Sequence, residues 1–202
     1  MQVAIVQYGM GNVASVAKAL TAAGAEPLIT DSADALARAD AIVLPGVGSF
    51  QRGMEELHAR NLTAALHRLV RDGGKPFLGI CLGLQLTMSH GHEPVPCDGL
   101  GWIRGHVLRM DDTQLQVPHV GWNTLQATGP LLQDFNDEDF YFVHSYHAVP
   151  EDASLITGTT DYGARRVVAL RQRNIWAFQF HPEKSQQAGI SLLRHFLAQV
   201  HA

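Results

Sequence analysis

A cysteine with glycine two residues before it and two after it, Gly79-Ile80-Cys81-Leu82-Gly83, constrains this chain more than any other feature. A short apolar run, Pro76–Ile80, leads into it, and a helix-like run follows. The string has the G-x-nucleophile-x-G form of a sharp strand-to-helix turn, where only glycine lets the two limbs pass so closely. Such a turn lifts Cys81 off the end of a strand, and the helix N-terminus behind it favours the thiolate. A hundred residues later, Phe178-Gln179-Phe180-His181-Pro182-Glu183 reads as a strand ending in a histidine and a carboxylate. Cys81 as nucleophile, His181 to take its proton and Glu183 to orient the histidine would make a catalytic triad. A lone buried cysteine is more often an inert core residue, so the reading rests on the two motifs together.

The stretch leading up to Cys81 alternates strand and helix. Val3–Val6, Pro27–Thr30, Ala41–Leu44 and Pro76–Ile80 are short apolar runs. Between them, helical spacing covers Val13–Ala23, a short piece capped by Asp31 or Ser32 and ending near Arg38, Phe50–His58 and Leu62–Arg71. Repeated β-α units imply an α/β fold with a mostly parallel central sheet flanked by helices. The second half predicts strands at Trp102–Arg109, Gln114–Val117, Asp139–His144, Leu155–Thr160, Val167–Arg171 and Ile175–Phe180. Their short, turn-rich connections predict antiparallel pairing. A closing amphipathic helix is expected over Gln186–Val200, and an exposed irregular loop over Gly91–Gly99.

At 202 residues, 46% hydrophobic and 17% charged, the chain is expected to form one domain, residues 1–202. A net charge of −4 without a basic block argues against nucleic acid as partner. Two cysteines, Cys81 and Cys97, make no disulfide framework and fit a reducing cytoplasm. Met1–Val6 lacks the positive start of a signal sequence, and no apolar run is long enough to span a membrane.

Three further strings carry alternatives. Gly9-Met10-Gly11-Asn12-Val13-Ala14, with Asp31 further on, satisfies a dinucleotide fingerprint on paper and is equally a tight turn before a helix. Pro45-Gly46-Val47-Gly48 ends a parallel strand, where ligand crevices form. There the N–H groups of Val47 and Leu82 are the nearest candidates for an oxyanion hole, with a plain turn as the alternative. His90-Gly91-His92 lacks the spacing of a metal site and reads as loop, so neither metal nor cofactor is expected.

Together, the cysteine elbow and His181-Pro182-Glu183 resemble those of class I (triad) glutamine amidotransferases. Tyr8-Gly9-Met10-Gly11-Asn12, Pro45–Gly48, Val117-Pro118-His119-Val120-Gly121-Trp122-Asn123, Tyr141–Tyr146 and Gln179–Ser185 extend the resemblance over the whole chain. They point to the branch that serves histidine biosynthesis. The chain departs from that branch at Gln7, where an acidic residue is usual, and at His90, where glutamate is common. The resemblance implies a flavodoxin-like fold and a glutaminase acting through a Cys81 thioester. It implies that Gly48, Gly83, Gln85, His144, Ser145 and Tyr146 hold L-glutamine. It further implies that Asn12, Trp122, Tyr141 and Lys184 face a (β/α)8-barrel cyclase subunit. That subunit would use the ammonia to make imidazole glycerol phosphate and an aminoimidazole carboxamide ribotide. The bland readings are core packing for Trp122 and a solvated charge for Lys184.

Overall fold

The structure, a computed structural model, describes residues 1–111, 113 and 115–200. Its β-α half follows the order expected. Strand β1 (Gln2–Val6) buries four successive residues, Val3 to Val6, as a strand covered on both faces must. Helix α1 (Val13–Ala23) starts where the Asn12 side chain accepts from the Ser15 N–H at 3.1 Å, and stops at Gly24 in the left-handed conformation. Strand β2 (Glu26–Thr30) precedes α2 (Ala33–Arg38), which Ser32 rather than Asp31 caps. Strand β3 (Ala41–Gly46), α3 (Phe50–Ala59) and α4 (Leu62–Leu66) follow. The helix expected over Leu62–Arg71 changes winding part-way, since His67–Asp72 is π-helical. Strand β4 (Phe77–Cys81) then delivers the cysteine to α5 (Leu82–Leu86).

The later strands are β5 (Met88–His92), β6 (Pro96–Asp98), β7 (Ile103–Arg109), β8 (His119–Thr124), β9 (Gln126–Ala127), β10 (Asp139–His144), β11 (Tyr146–Pro150), β12 (Ile156–Asp161), β13 (Arg165–Gln172) and β14 (Ile175–Phe178). Helix α6 (Gln186–Ala198) follows them. The main sheet runs β2-β1-β3-β4-β14-β13-β12-β9. Its first five strands are parallel and in flavodoxin-like order, with β14 taking the fifth place beside β4. From β13 outward the pairing is antiparallel. A four-stranded sheet, β11-β7-β5-β6, and a ribbon of β8 and β10 complete the second half.

Two apolar clusters sandwich the main sheet. One holds Val3, Ile5, Val43, Ile80, Trp176 and Phe178 under α1 and α6. The other holds Ala4, Val6, Ile42, Leu44, Phe77 and Ala177 under the remaining helices. Alternate residues of each central strand thus go to opposite faces.

The segment expected as the loop Gly91–Gly99 is instead largely an antiparallel ribbon. Gly91 of β5 faces Cys97 of β6, and the ribbon packs on β7. Its prolines, Pro94 and Pro96, sit at the turn and at the first residue of an edge strand, where no ladder donor is needed. The strand expected over Gln114–Val117 is not there: Leu115–Val117 are irregular, Gln114 lies outside the described residues, and the strand is β8. Strand β11, not expected from sequence, pairs with β7.

Candidate active site

Cys81 sits at φ 55° and ψ −107°, a conformation a side chain adopts only under strain. The flanking glycines are sterically required. A Cβ on Gly79 would lie 2.6 Å from the Gly83 carbonyl oxygen, and one on Gly83 would overlap the Leu44 carbonyl. The thiol is nearly enclosed, with 6% exposure. Its sulfur lies 3.6 Å from the Gln179 side-chain N–H group, which donates to it, and 4.0 Å from the Val143 carbonyl.

His181 and Glu183 come from the turn after β14, which neighbours β4. Glu183 Oε1 is 2.7 Å from His181 Nδ1, and both side chains are buried. Burial opposes the imidazolium, but the Cys81 thiolate and the Glu183 carboxylate outweigh it and carry the His181 pKa up to about 9. Its Nε2 is buried and makes no closed hydrogen bond, yet it lies near enough to Cys81 for the sulfur, as hydrogen-bond acceptor and as charge, to favour the imidazolium. The carboxylate also fixes the tautomer, with the proton on Nδ1 and Nε2 left for proton transfer.

The Pro45-Gly46-Val47-Gly48 loop stands next to this site, because Gly46 is the parallel register partner of Cys81. Gly48 has φ 106° and Val47 is exposed. Leu82 opens α5 directly after Cys81. A strained nucleophile, an oriented base and a glycine-flanked loop at the carboxyl ends of parallel strands can perform acyl transfer.

The sequence pattern of one family, glutamine amidotransferase class-I, matches residues 4–200. The chain belongs to the class-I glutamine amidotransferase family. It is similar to proteins named "Imidazole glycerol phosphate synthase subunit HisH". That of Synechococcus elongatus is 45% identical, covering 100% of this chain and 94% of the relative. That of Methanothermobacter thermautotrophicus is 45% identical over 99% of this chain and 100% of the relative. Among solved structures, a glutamine amidotransferase aligns over 98% of this chain and 99% of its own, with a TM-score of 0.79 and 18% identity. PurLQS from Thermotoga maritima aligns over 98% of both chains, with a TM-score of 0.76 and 18% identity. These two likenesses concern the fold.

In this amidotransferase fold, the residues expected to hold glutamine surround the cysteine in different ways. Gly83 and Gln85 are buried in α5. The Gln85 amide donates to the Tyr146 carbonyl at 3.2 Å and to Gln179 Oε1 at 3.1 Å. Ser145 and Tyr146 are half-buried where β10 passes into β11. His144 is buried with both ring nitrogens engaged: Nδ1 donates to the Tyr146 carbonyl at 2.8 Å, and Nε2 meets His119 Nδ1 at 3.1 Å. Burial pushes the His144 pKa down to about 3 and that of His119 to about 4, so both are neutral at working pH. His119 Nδ1 is therefore the donor to His144, and His119 Nε2 accepts from Asn123 at 3.3 Å.

The residues expected at a partner surface divide into two groups. Trp122 and Tyr141 face each other across the β8–β10 ribbon with ring centroids 6.0 Å apart, and Lys184 Nζ lies 5.6 Å from the Tyr141 ring centre. Trp122 is half-exposed, which removes simple core packing as its explanation. Asn12 and Lys184 line a narrow crevice with Gly46, Val47, His181 and Glu183.

Sequence reading gave no role to Gln179, which touches both Cys81 and Gln85, or to His119, which donates to His144 Nε2. A wholly polar amide between Phe178 and Phe180, two residues before the base, is the signal that marks Gln179. The Gly9–Asn12 string acts as a turn that packs Gly11 against Gly46.

Proposed function

We propose that the chain works as one domain and is the glutaminase subunit of imidazole glycerol phosphate synthase in histidine biosynthesis. It hydrolyses L-glutamine to glutamate and ammonia, and passes the ammonia to a (β/α)8-barrel cyclase subunit. There the ammonia yields imidazole glycerol phosphate and an aminoimidazole carboxamide ribotide. The observation that carries the reaction is the strained, nearly enclosed Cys81 beside a His181 held by Glu183 at 2.7 Å. What supports the pathway is similarity at 42–45% identity to eight relatives, each named as that synthase's subunit.

Cys81 Sγ, its proton already held by His181 Nε2, attacks the side-chain amide carbon of glutamine. The negative charge that builds on the amide oxygen is taken by the N–H groups of Val47 and Leu82. As the C–N bond breaks, His181 returns the proton to the leaving nitrogen, which departs as ammonia. Water, deprotonated by His181, then cleaves the thioester, releasing glutamate and the thiol. Glu183 orients the imidazole through both steps. Gln85, Ser145 and Tyr146, with the backbone of Gly48, Gly83 and His144, shape the glutamine pocket. Asn12, Trp122, Tyr141 and Lys184 present the face to the cyclase, so that ammonia leaves under cover from water.

The test is glutamate release by the chain alone and mixed with a cyclase subunit carrying its ligand, alongside complementation of histidine and pyridoxal auxotrophs. Release stimulated by the cyclase and rescue of the histidine auxotroph are expected. Rescue of the pyridoxal auxotroph instead overturns the pathway.

A further inference from the structure

Tyr8 is fully buried, yet its hydroxyl has no hydrogen-bond partner. Buried hydroxyls are nearly always paired, so one that is not asks where its partner comes from. Its surroundings answer. A Cβ on Gly46 would overlap the Tyr8 hydroxyl and come within 2.8 Å of Leu82 Cβ, so the hydroxyl lies against the Gly46 backbone. Gly46 begins the oxyanion loop and stands in register with Cys81.

The two sides of that loop differ. Tyr8 packs in the cluster with Ala4, Val6, Leu44 and Leu82, whereas Cys81 packs in the opposite cluster with Ile5, Val43 and Ile80. Gly46 borders both, lying against the Tyr8 hydroxyl and in register with Cys81. In a trans peptide the carbonyl and the N–H point in opposite directions. Turning the Val47 N–H toward Cys81 therefore turns the Gly46 carbonyl toward Tyr8. Burial keeps the Tyr8 hydroxyl protonated, so toward a carbonyl oxygen it is the donor.

We infer that Tyr8 is a positioning residue whose hydroxyl donates to the Gly46 carbonyl when the loop turns, holding the Val47 N–H in the oxyanion hole. This rests on the glutaminase reading above. Tyr8 touches neither substrate nor sulfur; it acts through the peptide.

The test is Tyr8→Phe in the complex with the liganded cyclase. Because the hydroxyl is unmet in the resting structure, the melting temperature should be unchanged or higher. The kcat for glutamate release should fall about tenfold or more, less than the 10²–10³ of losing an oxyanion donor outright, with KM for glutamine within about twofold. Glutamate γ-semialdehyde, which forms a tetrahedral adduct with an oxyanion, should bind about tenfold more weakly. Alkylation of Cys81 by iodoacetamide, which needs no oxyanion hole, should keep its rate. Unchanged kcat and semialdehyde affinity overturn the inference. So does a marked drop in melting temperature, or parallel loss of alkylation, since either means a general packing role. If the wild-type complex releases no glutamate, it is the glutaminase reading that fails, whatever Tyr8 does.

Discussion

Replacing Glu183 by glutamine keeps the shape of the His181 partner and removes its charge. In the wild type the two groups are 2.7 Å apart and both side chains are buried, so little solvent screens them. The rise of the His181 pKa from 6.5 to about 9 is worth about 3 kcal/mol in favour of the imidazolium, after burial has taken its share. That favour comes from two neighbours, Cys81 and Glu183. Withdrawing one of them removes on the order of 1.5 kcal/mol or more, which moves the midpoint down by about one pH unit or more. Ring-nitrogen NMR of His181 between pH 5 and 10 reads this directly. The wild-type imidazolium should persist to about pH 9, and the Glu183→Gln midpoint should lie at least one unit lower. Glutamate release at neutral pH should fall about 10²–10⁴-fold, the usual worth of a positioned acid–base group. His181→Ala should cost more than Glu183→Ala, because the imidazole carries the proton and the carboxylate only orients it. A wild-type His181 titrating near 6.5, or an unmoved midpoint in Glu183→Gln, would refute the ion-pair account.

Cys81→Ala should abolish glutamate release and leave the melting temperature within a few degrees, while Cys97→Ala, in the β5–β6 ribbon away from the triad, should keep full activity; an active Cys81→Ala ends the nucleophile assignment. Stability should peak near pH 6.5. Below it, an unfolded chain takes up protons at His119 and His144 that the fold refuses, their folded pKa values being depressed to about 4 and 3. Above it, the raised His181 pKa gives stability that is complete below 6.5 and lost as pH climbs through about 9. Melting curves from pH 4.5 to 9.5 that rise or fall in one direction only would contradict this. The isolated chain should be a poor glutaminase that the liganded cyclase strongly activates. Gly48→Val, forced at φ 106°, should lose that activation, and steady-state rates with and without the partner check it.

The elements legible in the sequence are those whose signal is local. Val3–Val6 and Ala41–Leu44 are apolar on both faces because both faces are covered, and Asn12 and Ser32 cap helices through bonds three residues away. The elbow was legible because steric exclusion at Gly79 and Gly83 leaves glycine as the residue that fits. What was hidden depends on partners distant in the chain. Strand β8 carries His119, Gly121 and Asn123, a poor strand composition, and becomes a strand by pairing with β10. Strands β5 and β6 look like loop because Ser89, Gly91, Pro96 and Asp98 are weak strand formers, until β7 supplies an edge. Gln179 and Tyr8 stand inside motifs of the resemblance without a role of their own; what they do lies in which backbone and sulfur they meet across the sheet.

The proposed partner face and the triad are joined by backbone, and this decides how a signal would travel between them. Tyr141, which stacks edge-on with Trp122 and lies under Lys184, accepts the His181 N–H at its carbonyl at 2.9 Å. Its own N–H donates to Ser185 Oγ at 3.0 Å, and that hydroxyl donates to the His181 carbonyl at 2.7 Å. Three hydrogen bonds thus tie Tyr141 to both sides of His181. A partner seated on Trp122 and Tyr141 therefore meets a His181 turn already braced by these bonds. The Val47 side differs: its side chain is exposed and its neighbours Gly46 and Gly48 lack side chains, so the proposed oxyanion peptide can turn at low steric cost. In the proposed mechanism the triad is the fixed half of the site and the Gly46–Gly48 loop the adjustable half, so activation by a partner should appear in kcat with the His181 titration unmoved.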